Sequence, residues 1–310
     1  MATYTPDQLA RYFEHIGWDA SSWPPTGTLT AAFLQELIHR QLARVPFESV
    51  SLHYSPTHLL SLDPEDLFHK IVGRNMGGYC MENNTFFGTI LRSLGFNVTN
   101  TGGRVSHATA GRPGPGYMGW NHMVNLVTID NDKFLVDVGF GYNGPSQPLA
   151  LESGVIVPGI GTALRFKLTY TALPQHTDKS QRMWVYSYRE GSKAAWTDAY
   201  AFTEMEFFPD DFAVMNVATM TLRRSFFLQT LFCVKMTLDA ETGEPSGWLL
   251  LNHDQVKRKD RDGATVLVAE LKTEEERVAA LEKWFDIQLT EKEKTGIRDL
   301  STELRGWSMD

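Results

Sequence analysis

Gly77-Gly78-Tyr79-Cys80-Met81-Glu82-Asn83-Asn84-Thr85-Phe86-Phe87, with Ile90, Leu91, Leu94 and Gly95 beyond it, is the stretch on which the architecture turns. Two glycines permit a sharp turn and a close backbone approach. The residues after them place Phe86, Phe87, Ile90, Leu91 and Leu94 on one face of a helix, and Gly95 is positioned to end it. After Gly95 the apolar period changes. Residues 96–105, 122–129 and 133–138 read as strands, with Asp130-Asn131-Asp132 as a hairpin turn between the last two. A helix that hands over to strands at one glycine marks a boundary between two kinds of structure.

Upstream the chain reads as helical. Thr5-Pro6-Asp7-Gln8 offers an N-cap, a proline at the first helical position and a capping-box glutamine. After Thr30, Leu34, Leu37, Ile38 and Leu42 form one face of a helix that ends before Pro46. Asp63-Pro64-Glu65-Asp66 starts another, with acidic side chains in its first turn. Downstream, the Gly- and Pro-rich segment 108–119 is a loop, and strands are predicted over 165–171, 182–188, 226–238, 248–252 and 265–271. Thr273 caps an amphipathic helix over 274–285. Helices, then a β-rich middle, then a mixed end make an α+β chain in three parts.

The bulk composition narrows the functional classes. The chain has 310 residues, 42% of them hydrophobic and 21% charged, enough for a substantial core. A net charge of −8 with no basic arm argues against nucleic-acid binding. No run of about 18 apolar residues predicts a membrane span, and the N-terminal stretch lacks the pattern of a signal peptide. Cys80 and Cys233 are the two cysteines, too few and too far apart for a disulfide framework or a metal-ligand set. A reducing, cytoplasmic setting follows, with no metal.

The two cysteines read differently. Cys233 lies in Leu231-Phe232-Cys233-Val234 and reads as a small buried hydrophobe. Cys80 follows a glycine turn and opens a helix, where the positive end of the dipole favours thiolate and free amides stabilise an oxyanion. Those are the requirements of acyl transfer through a thioester. A nucleophilic thiol needs a base. Of nine histidines, His122 opens a strand directly after the glycine-rich loop, and the neighbouring strand carries Asp137 among apolar residues. Asp137 taken alone reads equally well as a buried structural carboxylate.

Four segments then resemble the arylamine N-acetyltransferase family: Val45-Pro46-Phe47-Glu48, the Cys80 motif quoted above, Trp120-Asn121-His122-Met123 and Val136-Asp137-Val138-Gly139-Phe140-Gly141. The order Cys, His, Asp and the intervals of 42 and 15 residues also match. The resemblance implies a helical bundle over 1–95, a β-barrel over 96–205 and an α/β lid over 206–310, around a cysteine-proteinase-like core. It implies Cys80 as nucleophile, His122 as base and Asp137 as its orienting carboxylate. Phe47 and Phe140 correspond to aromatic residues of the acceptor pocket, Gly119 to a position near the coenzyme, and Asn84 to a structural polar residue of the motif helix. Arg223, Arg224 and Ser225 form a candidate patch for coenzyme phosphates, with Arg104 and Arg112 flanking the loop; a solvated surface is the alternative reading for each arginine.

The implied activity is transfer of an acetyl group from acetyl-CoA, through an acyl-cysteine, to arylamines, arylhydrazines or N-hydroxyarylamines, in xenobiotic metabolism. Malonyl- or propionyl-CoA are alternative donors. A cysteine amidase or protease, or a non-catalytic CoA-binding protein, are competing readings. The sequence departs from the family where Met76 replaces an arginine immediately before Gly77-Gly78, with Arg74 two residues earlier as the nearest substitute, and where Ser49 replaces an asparagine.

Overall fold

Helices begin where a side chain satisfies the first free amides. In the computed structural model, which describes residues 2–18, 29–161, 163–261 and 263–305, Thr5 and Gln8 form a reciprocal capping box at the start of α1 (Pro6–His15). Thr30 caps α2 (Ala31–Arg44), which stops because Pro46 pushes Val45 into an extended conformation. A two-residue strand, β1 (Phe47–Glu48), and a short helix, α3 (Val50–Tyr54), follow. Asp63 accepts the amides of Glu65 and Asp66 to start α4 (Pro64–Phe68), which runs directly into a π-helical turn at His69–Gly73. Helix α5 (Cys80–Ser93) ends at Leu94, with Gly95 at φ +97°.

The middle of the chain forms one antiparallel sheet from β2 (Asn97–Val105), β3 (His122–Ile129), β4 (Asp132–Val136), β5 (Leu149–Ala150), β6 (Ile156–Pro158), β7 (Leu164–Thr171), β8 (Met183–Glu190) and β9 (Thr197–Phe202). Its order is β5-β4-β3-β2-β9-β8-β7-β6, nearly closed into a barrel around Val124, Leu126, Phe166, Tyr186 and Tyr200. Helix α5 lies against β2 and β3 and buries Phe86, Phe87, Ile90 and Leu91.

After α6 (Pro209–Thr221) and α7 (Phe226–Gln229), a second antiparallel sheet is built from β10 (Phe232–Leu238), β11 (Pro245–Asn252), β12 (Gln255–Asp260) and β13 (Val266–Glu270). Helix α8 (Glu274–Phe285) covers it, followed by the short α9 (Glu291–Lys294). The edge of this sheet is β1: Phe47 pairs with Val234 and Glu48 with Cys233. Ser49 secures the join, its hydroxyl donating to the Thr230 carbonyl at 3.0 Å and accepting from the Phe232 amide at 3.2 Å.

Several sequence expectations need revision. The run 226–238 is not one strand: Phe226–Gln229 is helical, and the strand starts at Phe232. Short apolar runs do not distinguish the two by period, and the ring contacts of Phe227 with Tyr79 and Phe47 fix the helical turn. The strand predicted over 133–138 ends at Val136, so Asp137 sits just beyond the ladder, and the hairpin turns on Asp130 and Asn131 alone. Strands β9 and β12 and helix α6 went unmarked by any apolar period. Asp198 interrupts β9, and its carboxylate accepts from Ser187 and Tyr117 hydroxyls. Among the described residues no helix is long and apolar enough to cross a membrane.

Candidate active site

The site is assembled by close approaches of backbone. A side chain on Gly77 would overlap the Pro46 carbonyl oxygen, and a Cβ on Gly139 would lie 2.6 Å from the Cys80 Cα, so neither position admits anything but glycine. The Glu48 amide donates to the Gly78 carbonyl at 3.0 Å, and the Asn83 side chain donates to the Pro46 carbonyl at 3.1 Å. Three segments far apart in sequence thus converge on Cys80, at the first position of α5, where the opening amides have no intrahelical acceptor.

His122 is the first residue of β3 and faces Gly103 across the ladder. Asn125 pairs with Val136, so continuing that register sets Asp137 diagonally beside His122 on the same face. The His122 Nε2–H donates to Asp137 Oδ2 at 2.8 Å. The Cys80 thiol lies 3.8 Å from the carbonyl oxygen of Asn121, the residue before His122. The imidazole is wedged between Tyr200 and Phe140, at ring separations of 4.6 and 5.1 Å. Asp137 Oδ1 accepts from Asn84 Nδ2 at 2.8 Å and from the Gly139 amide at 2.9 Å. Asn84 also donates to the Met123 carbonyl and accepts the Val138 amide, which ties α5 to both strands.

All three side chains are buried. Burial by itself would drive His122 toward its neutral form, but the Asp137 carboxylate, by charge and by hydrogen bond, and the hydrogen bond to Cys80 outweigh it, and the imidazole pKa is raised to about 10. Burial pushes Asp137 up; the charge of His122 and the hydrogen bonds from His122, Asn84 and Gly139 more than reverse this and hold it below the ordinary carboxylate value. The pair is therefore imidazolium and carboxylate at neutral pH.

A family model described as N-acetyltransferase matches residues 30–294. The chain belongs to the arylamine N-acetyltransferase family. It is 41% identical to the N-malonyltransferase FDB2 of Gibberella moniliformis, over 95% of this chain and 92% of that one. It is 30% identical to arylamine N-acetyltransferase 1 of Homo sapiens, over 92% and 95%. Its fold matches that of the Mycobacterium marinum arylamine N-acetyltransferase solved in complex with CoA, with a TM-score of 0.72 and 24% identity over 94% and 99% of the two chains. The chemistry of the family is acyl transfer.

Within this member of the arylamine N-acetyltransferase family, the other predicted residues fall at different distances from the thiol. Phe140 packs on His122, and Phe47 borders Gly141 and joins the apolar cluster that contains Cys80, Tyr79 and Met81. Gly119 is exposed with open space beside it, next to Trp120, which packs into that cluster. Arg223 and Arg224 are exposed and Ser225 half-buried between α6 and α7, two residues before Phe227 reaches Tyr79. Arg112 is exposed. Arg104 is half-buried, stacks 3.9 Å above the Trp120 ring, and has no carboxylate within ion-pair distance among the described residues. The loop after Ser106 is pinned by a bridge from Ser106 to Tyr117 and by Gln175, which bonds both backbone groups of Tyr117.

The departure at Met76 resolves in an unforeseen way. Met76 is buried against the C-terminal core, and Arg74 turns away to a two-pronged pair with Glu293, both contacts 2.8 Å, that holds that carboxyl down at about 2. The cation on Glu82 is instead Lys70, 2.7 Å away. Neither Lys70 nor Tyr200 carried a sequence signal, since each sits in an ordinary helix or strand pattern.

Proposed function

We propose that the protein is an acyl-CoA-dependent N-acyltransferase that carries the acyl group on Cys80 and delivers it to an aromatic amine, hydrazine or N-hydroxyarylamine. The observation that carries this reading is the His122–Asp137 pair, 2.8 Å apart, beside Cys80 at the open N-terminus of α5, with the thiol 3.8 Å from the carbonyl of Asn121. On this reading the Cys80 thiolate attacks the thioester carbonyl, and the oxyanion is met by amides of the first turn of α5. The C–S bond to coenzyme A breaks, and the departing thiolate takes the proton of the His122 imidazolium. Neutral His122 then removes a proton from the attacking amine as the acyl–sulfur bond breaks, which regenerates thiolate and imidazolium. Asp137 holds the ring and its charge throughout, and Phe47 and Phe140 shape the aromatic pocket.

Acetyl-CoA is the donor on the first reading, supported by the family match and the human relative. A malonyl donor is the second reading. It is supported by the name of the Gibberella relative and by Arg104, whose guanidinium has no carboxylate within ion-pair distance among the described residues and stacks on Trp120. The proposed division of labour is 1–95 for the thiol helix, 96–205 for His122 and Asp137, and 206–310 as lid, in keeping with the span of the eight-stranded sheet. Gly119 and the Arg223-Arg224-Ser225 segment are proposed coenzyme contacts. Two free thiols fit a reducing cytoplasm, and a role in xenobiotic amine metabolism follows from the acceptor class.

The test is intact-mass analysis after incubation with acetyl-, propionyl- and malonyl-CoA. An adduct at Cys80 that an arylamine discharges, and that is absent in Cys80→Ala, is expected. Adducts discharged only to water would replace this reading by a hydrolase, and coenzyme binding without an adduct by a binding protein.

A further inference from the structure

We infer that Lys70 is a positioning residue for Cys80: a largely covered ammonium, delivered by the π-helical turn at His69–Gly73, that lies between two buried carboxylates holding the backbone around the Cys80 turn. The inference rests on Cys80 being the nucleophile and deepens that reading.

Glu48 and Glu82 are almost wholly buried, with side-chain exposures of 0% and 1%. One oxygen of each grips the backbone of the site. Glu82 Oε2 accepts the amide of Tyr79, the residue before Cys80, at 3.1 Å, and Glu48 Oε2 accepts the amide of Val50 just beyond β1. The remaining oxygens both turn to Lys70: its Nζ lies 2.7 Å from Glu82 Oε1 and 3.5 Å from Glu48 Oε1. Among the described residues no other cation lies within ion-pair distance of either carboxylate. Two carboxylates buried together without a cation repel each other and are costly to desolvate; burial pushes the Glu82 carboxyl up, Lys70 opposes that shift, and its ammonium is the cation placed between the two side chains that hold the turn.

The route by which Lys70 arrives is itself unusual. Helix α4 gives way to a single π-helical turn, a form that recurs at functional sites. The Lys70 carbonyl accepts the Met76 amide at 3.2 Å, which fastens the turn to the segment entering Gly77-Gly78. Met76 joins the apolar cluster with Val50 and Tyr54. The charged groups facing Lys70 are Glu48 from β1 and Glu82 from α5; the group facing Cys80 is His122 from β3, backed by Asp137.

The experiment compares Lys70→Met, Lys70→Arg, Lys70→Met/Met76→Arg and Lys70→Met/Glu48→Gln/Glu82→Gln in the full chain. Readouts are the single-turnover rate of Cys80 acylation, KM for the acyl-CoA, and the pH midpoint of Cys80 alkylation by iodoacetamide. Lys70→Met is expected to slow acylation by roughly 100-fold, with little change in KM, and to move the alkylation midpoint up by about one unit as carboxylate charge is left unbalanced near the turn. Lys70→Arg, and arginine restored at 76, are expected to recover most of the rate. Should Lys70→Met not fold, the uncharged triple variant decides: slow acylation supports positioning, and a wild-type rate overturns it. Wild-type rate and midpoint in a folded Lys70→Met also overturn it, while leaving the acyl-cysteine reading standing. If the unaltered protein never acquires an acyl group, that reading fails, and the alkylation midpoints still test Lys70.

Discussion

Cys80 and Cys233 are both free and both buried, yet their surroundings make them different chemical groups. Cys233 lies within β10, opposite Glu48 on one side and Leu251 on the other, in a cluster with Leu231 and Val256. Burial pushes its thiol well up, and the Glu48 carboxylate acts in the same direction. Cys80 opens a helix, with an imidazolium across from it and a carboxylate behind that. On the proposed function, what separates the two is not burial but the sign of the nearest charge and the direction of the nearest dipole.

The strongest way to break the contrast is differential alkylation. Iodoacetamide on the folded protein should label Cys80 at least about a hundredfold faster than Cys233; peptide mapping that finds comparable labelling would erase the distinction. Next in size, Asp137→Asn should lower the acyl-transfer rate by roughly 10³–10⁴-fold, since it removes the charge and the acceptor that hold His122. The same variant has a pH signature. The folded pKa of His122 is raised to about 10 from 6.5, so its contribution to stability is complete below about pH 6.5 and is lost as pH rises through 10. Urea midpoints of the wild type should fall over that window, and those of Asp137→Asn should fall less. A parallel decline in both would detach His122 from Asp137.

Cys233→Ala should cost about 1 kcal/mol of stability by creating a small cavity, while activity per folded molecule stays unchanged in a standard turnover assay. Smallest of all, Arg74→Ala should cost no more than about 1 kcal/mol, as its pair with Glu293 is partly exposed. The acylation rate should not move, because this arginine, although close in sequence to Cys80, belongs to a contact with the C-terminal segment.

The sequence was legible wherever the signal was local. The glycine turn, the cap residues and the change of period at Gly95 mark α5 and β2, whereas the spacing of Cys80, His122 and Asp137 left Asp137 open to a structural reading, and only the motifs around the three joined segments that the fold brings together. Pairings between distant pieces were not legible. Nothing in Pro46-Phe47-Glu48 announces that it becomes the edge of a sheet begun some two hundred residues later in the chain. The half-buried Lys70 reads as an ordinary polar helix residue, because a π-helical turn leaves no mark in apolar spacing. Tyr200 was hidden by Asp198, which breaks the alternation of β9 for the sake of hydrogen bonds to Ser187 and Tyr117.

That edge strand has a consequence for biosynthesis. The helix bearing Cys80 leaves the ribosome early, but the partner that zips Phe47 and Glu48 into a ladder is Cys233-Val234, made far later. Until then the segment that cradles the thiol has one side open to solvent and to passing chaperones. Maturation of the cleft is therefore coupled to the synthesis of β10, and a nascent chain stalled before Phe232 would display a cysteine whose surroundings are still unfinished.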